Sequence, residues 1–275
     1  MKRKGKHCKN VSRKTYNILK IIAIILLIIG IGIIVYPCAG NMYGKAKANS
    51  IADDFETRVS NIKKIKNKKI SAKEVQKDVS NDGIDEKTGS KMVSIDYTKI
   101  NIESMYKDSK TYNNKLKKKQ RDLLTNDDVF NKPALHLSKY GIYDGVYGYV
   151  SIPSIDLKIP IYLGVQNNHM NYGSAHLTYT SLPLGGKDEN SVLVGHTGYT
   201  GRIFFDNITK LSKGDTVTVV NYWGRVKYKV TKHKVVKPDD LSNYFIDENK
   251  TELVLVTCIS DGYGGFNRYL LYCEK

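Results

Sequence analysis

Hydrophobic positions fall into three regimes along the 275 residues. Residues 18–36 are apolar except for Lys20, and from 21 to 36 the run is unbroken. At 1.5 Å per residue, a helix over this run is roughly 28 Å long, close to the ~30 Å hydrocarbon thickness of a bilayer. Residues 41–119 are polar and lysine-rich, but Ile51, Phe55, Val59, Ile62 and Ile65 recur there at three- and four-residue spacing. That spacing predicts one amphipathic helix, and a second is expected over 102–124. Between them, Ser80-Asn81-Asp82-Gly83 through Gly89-Ser90 has the chemistry of a loop. From Gly145 onward the pattern changes to short runs of Val, Ile, Tyr and Thr cut by Gly, Pro, Asn and Asp. These predict strands over 146–152, 157–163, 191–195, 216–221, 226–236, 253–257 and 269–272, with a short helix or turn over 203–211. Residues 226–233 alternate strictly, so one face of that strand is wet. Seven or eight strands at this spacing favour a closed all-β barrel.

The formal charge of +17 is unevenly spread: ten of the 44 Lys and Arg lie in the first 50 residues, which contain no acid. A basic flank before an apolar span keeps that flank in the cytoplasm and sends everything after Pro37 outside. Lys20 can snorkel toward the same flank. A cleaved signal peptide is the competing reading, with Ala46-Lys47-Ala48 as a small-x-small site. That site stands about ten residues beyond the run, so an anchor is favoured. No RNA- or DNA-binding motif accompanies the charge, and the 20 tyrosines are scattered through strand-like segments. Nucleic acid is therefore not an expected partner. Four dispersed cysteines suggest neither a disulfide scaffold nor a zinc site, and the acids form no calcium loop. No metal or cofactor is expected.

Candidate chemistry gathers near the end of the chain. Residues 252–258 and 267–272 read as neighbouring strands joined by Asp261-Gly262-Tyr263-Gly264-Gly265. Cys258 ends the first and Arg268 opens the second, so antiparallel pairing sets both at one end of the sheet. A nearby permanent cation favours the reactive thiolate. Upstream, residues 191–195 run into His196-Thr197-Gly198. Cys, His and Arg at strand ends make a candidate acyl-transfer site. Taken singly, Cys258 reads as a buried small hydrophobe and His196 as one histidine among six. Cys273, in the strand after Cys258, could face it across the ladder, although a disulfide there would block the thiol. His136, His169 and His176 lie in loop-like stretches, and His233 is mid-strand beside lysines.

At these residues the chain resembles the sortase family. Val254-Leu255-Val256-Thr257-Cys258 is similar to the signature Thr-Leu-x-Thr-Cys, with Val254 for the first Thr. Gly195-His196-Thr197-Gly198 and Arg268 fall where sortases carry their histidine and arginine. Residues 148–155, 160–164 and 173–186 are most similar to class C, pilin-polymerising members, and the resemblance runs from about residue 123 to 275. It implies a closed, eight-stranded sortase barrel with an N-terminal transmembrane helix and a helical, lid-bearing extension. The chain then divides into a cytoplasmic tail (1–17), a single-pass anchor (18–36), a helical or flexible extracytoplasmic stalk (37–122), a lid segment (123–140) and a catalytic barrel (141–275).

The implied activity is cleavage of a Leu-Pro-x-Thr-Gly-like sorting signal between Thr and Gly. Cys258 would carry the thioester, His196 would move the proton, and Arg268 would donate to the oxyanion. A primary amine, from a pilin lysine or a peptidoglycan precursor, would resolve the thioester. Thr197 and Thr257 are expected near substrate, with an apolar groove lined by the 237–250 loop. Asp128-Val129-Phe130 resembles the class C lid motif, in which an acid meets the site arginine and an aromatic ring covers the cysteine. Val129 replaces its proline, removing the fixed φ. The alternatives are a housekeeping or class B-like sortase that anchors proteins to peptidoglycan, favoured by the lack of a second apolar span, and a non-catalytic barrel that binds envelope polymers.

Overall fold

The valine- and tyrosine-rich runs after Gly145 pair into one closed sheet. The computed structural model describes residues 13–67, 71, 95–125, 132–165, 167–202 and 204–275. Its strands are β1 (Val146–Ile152), β2 (Leu157–Leu163), β3 (Ser174–His176), β4 (Glu189–Val194), β5 (Thr216–Asn221), β6 (Gly224–Val236), β7 (Thr251–Ser260) and β8 (Phe266–Glu274). They close in the order β1-β2-β3-β4-β7-β8-β6-β5. β2–β3 and β4–β7 are parallel and the other neighbours antiparallel.

β3 was not among the expected strands, because three residues are too few to display a period. It contains His176, which is wholly buried rather than in a loop. The His176 Nε2 lies 3.0 Å from the Ser181 carbonyl, and burial lowers its pKa to about 4.

Alternation along closed strands sends every second side chain inward. Leu193, Leu253, Leu255, Tyr269, Leu271 and Cys273 fill the interior with Phe205 and Tyr228. Cys273 is thus paired with Leu253, not with Cys258. Both thiols are free, and burial pushes that of Cys273 up to about 12. The opposite parity of β4, β7 and β8 faces outward: Val192, Val254, Val256, Leu270 and Tyr272 form a second apolar surface there.

Among the described residues, two long helices clothe the barrel. The apolar run and the first amphipathic helix are one continuous helix, α1 (Arg13–Lys66). Among the described residues it is the one helix long and apolar enough to cross a membrane, and none of its apolar window is buried. Its second half is not a free stalk. Ile51, Ala52 and Phe55 pack on Tyr149, Tyr162 and Tyr222, with the Phe55 ring edge-on to Tyr222 at 4.7 Å. Arg58 forms an ion pair with Asp144 that is almost fully buried, and donates to the Tyr222 hydroxyl at 3.0 Å.

The other helix, α2 (Ile102–Leu124), is capped by Asn101, whose side chain accepts from the Ser104 N–H at 2.9 Å. Its buried Asn113 donates to the Leu182 carbonyl and accepts from the Leu182 N–H. Gln120 donates to the carbonyls of Tyr179 and Tyr244 and accepts from the Ile246 N–H at 2.6 Å. α2 thereby holds the β6–β7 connection over the outer face of the sheet.

Removing one member of a buried ion pair strands the other charge, a loss of about 3–5 kcal/mol. Arg58→Met is therefore expected to lower unfolding stability by that order in a denaturant titration. A change below about 1 kcal/mol would show that this pair does not fasten α1 to the barrel.

Candidate active site

The site is produced by strand register. β8 runs antiparallel to β7 without a bulge, and Cys258 sits directly opposite Arg268. On the other side β4 runs parallel to β7 with Val194 beside Val256. The pairing continues past the end of β4, since the Gly195 N–H donates to the Val256 carbonyl at 3.0 Å. Thr257 Oγ1 then donates to the Gly195 carbonyl at 2.9 Å. Carried one residue further, this register sets His196 beside Cys258 on strands about 4.8 Å apart. The three residues share the parity of Val194, Val256 and Leu270, so they lie on the outer face. Arg268 Nη1 donates to Cys258 Sγ at 3.2 Å, and the thiol is half-buried.

His196 is fixed through its backbone. Its carbonyl accepts from the Phe205 N–H at 3.0 Å. The ring of Phe205 fills the space where a Cβ on Gly195 would stand, 2.6 Å away, so glycine is required before the histidine. The Gly198 N–H donates to Asp206 Oδ1 at 2.9 Å, closing the loop that follows. The half-buried imidazole packs on Tyr199 with ring centres 5.0 Å apart. Burial lowers its pKa, and the charge of Arg202 lowers it further. The ring is consequently neutral near pH 7.

Beyond the three groups the outer face is apolar. Val192, Val254, Val256, Leu270 and Tyr272 floor it, while Leu241, Tyr244 and Phe245 of the β6–β7 connection pack over it. Tyr244 stands close enough to feel the charges of both Arg268 and Cys258, and burial raises its phenol to about 12. Nothing in the spacing of residues 237–250 singled out Tyr244 from the other tyrosines.

Thr257, expected near substrate, faces the barrel interior with its hydroxyl committed to Gly195. Thr197 is half-buried next to His196. Asp261 accepts from the N–H groups of Tyr263 and Gly265 and shapes the β7–β8 turn. Of the remaining histidines, His169 is buried with Nδ1 3.1 Å from the Gly164 carbonyl, and exposed His233 stacks on Tyr269. Asp128 and Phe130 lie outside the described residues; on the near side of that segment, Leu124 packs into the outer apolar cluster. No group of three or more His, Cys, Asp or Glu side chains suited to a metal ion occurs among the described residues.

A family model for the sortase domain matches residues 150–275. Sortase D of Bacillus subtilis (strain 168) is 31% identical over 132 residues, which is 46% of this chain and 63% of that protein. Sortase C-1 from Actinomyces oris superposes with a TM-score of 0.52 at 31% identity, covering 63% of this chain and 98% of that one. A Clostridium perfringens sortase C solved with the C-terminal cell wall sorting motif gives 0.50 at 32% identity, covering 62% and 89%. The chain spans between 47% and 63% of the length of the first curated relatives it matches.

Removing the Arg202 charge relieves the lesser of the two causes that depress His196. Arg202→Ala should move the imidazole titration up toward the ordinary value of about 6.5, as followed by NMR of the ring protons. An unmoved midpoint would assign the whole depression to burial. In the same protein an alkylating reagent should modify Cys258 and spare Cys273, as read by peptide mass mapping.

Proposed function

Since this chain belongs to the sortase family, we propose that it is a cysteine transpeptidase cutting a Leu-Pro-x-Thr-Gly-like sorting signal between Thr and Gly. The observation that carries this reading is the Arg268 donor resting on the Cys258 sulfur, with His196 next in register. Neutral His196 accepts the thiol proton as sulfur attacks the Thr carbonyl carbon. The Arg268 fork, already at the sulfur and unable to deprotonate, donates to the oxyanion that forms. The C–N bond then breaks, the departing Gly amine takes the proton from His196, and the Thr acyl group stays on Cys258 as a thioester. A primary amine next attacks that carbonyl, His196 accepts its proton, and the thiolate leaves. The apolar outer face under Leu241, Tyr244 and Phe245 suits the Leu-Pro part of the signal.

The acceptor in this reading is a pilin lysine, in keeping with the likeness to sortase C structures. Anchoring to peptidoglycan, as by a housekeeping or class B-like sortase, is the second reading: there the same thioester is resolved by a wall-peptide amine. The apolar half of α1 serves as a single-pass anchor with its basic N-terminal flank in the cytoplasm and the barrel outside. Asp128 and Phe130 act as a lid over Arg268 and Cys258.

A quenched sorting peptide with an added amine acceptor tests the chemistry. Cys258→Ala should abolish turnover, and His196→Ala should lower kcat by about 10²–10⁴. Arg268→Lys keeps the charge but loses the fork, and should cost on the order of 10²–10³. Because neutral His196 is the form that accepts the thiol proton, the rate should fall as pH drops through its lowered pKa. Arg202→Ala should move that acid limb to higher pH. Full turnover by Arg268→Ala would remove the arginine from the mechanism. A covalent ladder with pilin supports polymerisation, whereas single linkages to wall peptide alone reject it. Asp128→Ala should raise peptide hydrolysis, and an unchanged rate counts against a gate.

A further inference from the structure

Strand directions fix which end of the barrel carries the site. β1, β4, β6 and β7 run toward one end, and β2, β3, β5 and β8 run away from it. The β1–β2 turn, the loop after His196 and the β7–β8 turn therefore share the end that carries Cys258.

α1 meets the barrel at this same end. Lys45 pairs with Asp156 of the β1–β2 turn. Asn41 Oδ1 accepts from the Gly201 N–H at 2.7 Å, at the tip of the loop that carries His196. Gly44 lies so close that a Cβ there would be 1.9 Å from the Gly201 carbonyl oxygen, and Gly201 itself needs φ of +80°. From there α1 climbs the barrel, past Lys158 at Asp53, to Arg58 and Asp144 at the far end. Its apolar half accordingly projects outward from the catalytic end.

The distance to a bilayer follows from the chain itself. The apolar run ends at Tyr36, and the contacts with Thr200 and Gly201 are made by residues 40–44. That separation is roughly 6–12 Å along a helix, and any tilt shortens the height. The headgroup layer is itself about 5–8 Å deep on each side. The tip of the His196 loop thus stands at headgroup level. The surface there is of the kind that interfaces accept: Tyr43 on α1, Tyr199 on the loop, and Tyr263 and Phe266 around the β7–β8 turn are all exposed, Tyr263 by 96%. Tyrosine has an apolar ring and a polar tip, and is enriched at membrane–water interfaces.

We propose that the catalytic end of the barrel docks on the phospholipid headgroup layer that α1 enters, with Tyr43, Tyr199, Tyr263 and Phe266 as the lipid-facing surface. The proposal rests on the reading of α1 as a membrane anchor. It makes the bilayer a second wall of the active-site entrance, so acyl donor and amine meet at the plane of the headgroups.

The full chain in mixed phosphatidylcholine and phosphatidylglycerol vesicles tests this by tryptophan quenching. The single native tryptophan, Trp223, lies in the β5–β6 turn at the opposite end of the barrel and is the internal reference. Its emission should be untouched by nitroxide lipids. A tryptophan added by Tyr199→Trp, or by Tyr263→Trp in the fully exposed turn where folding is not at risk, should be quenched by headgroup nitroxide more than by mid-chain nitroxide. Ile29→Trp should show the reverse. Quenching at 29 with none at 199 or 263 overturns the docking and leaves the anchor standing. Added tryptophans that shift to the blue without quenching show a second copy of the chain on this surface, which also overturns it. No quenching at 29 removes the anchor and the docking together.

Discussion

The registers of β4 and β8 against β7 decide everything else at this site. A sheet has a side-chain period of two, so a slip of one residue turns a strand's whole set of side chains to the other face. Here such a slip would send Cys258 into the barrel and Thr257 to the surface. The molecule guards against it on both flanks: the β7–β8 ladder is unbroken from Glu252 to Ser260, and Gly195 is bonded to Val256 and Thr257 after β4 has formally ended. Thr257 is thus a positioning residue, and its place beside the cysteine is explained by the carbonyl it holds.

One cation and one neutral ring then stand at this end of the sheet. Arg268 is permanently cationic and is already within hydrogen-bonding distance of Sγ. His196 is held neutral by burial and by Arg202, so it is free to receive a proton rather than already carrying one. Arg268 is fixed directly opposite Cys258 by the β7–β8 ladder, and His196 is fixed through its backbone by the Phe205 N–H. The apolar face beyond them depends on α2: Gln120 bonds the β6–β7 connection at Tyr244 and Ile246, and so fixes the roof of the groove from 124 and 126 residues away in sequence.

Much of this was legible from local pattern. Strands β1, β2 and β5 fall on the residues that their Val-, Ile-, Tyr- and Thr-rich runs marked, and the antiparallel return from Cys258 to Arg268 follows from two apolar runs and a glycine-rich turn. What was not legible depended on long-range contacts. β3 is too short to show a period, and the burial of His176 comes from closing the barrel over it. Cys273 shares a strand with the site, but that it faces Leu253 rather than Cys258 appears only once the register is fixed. The apolar run and the amphipathic helix read as separate elements in the sequence, yet they merge into α1 through Pro37, a residue that removes a helix hydrogen bond. Tyr244 and Arg202 come to the site on loops whose composition carries no period at all.

The register itself can be tested by cross-linking. Facing residues on adjacent strands have Cα atoms about 5 Å apart, inside the window for a disulfide. Mild oxidation of a His196→Cys variant should join position 196 to native Cys258, identified as a disulfide-linked peptide pair that disappears on reduction. Thr197→Cys, treated identically, should join far more slowly. Efficient cross-linking at 197 with none at 196 would contradict the register from which the whole account is built.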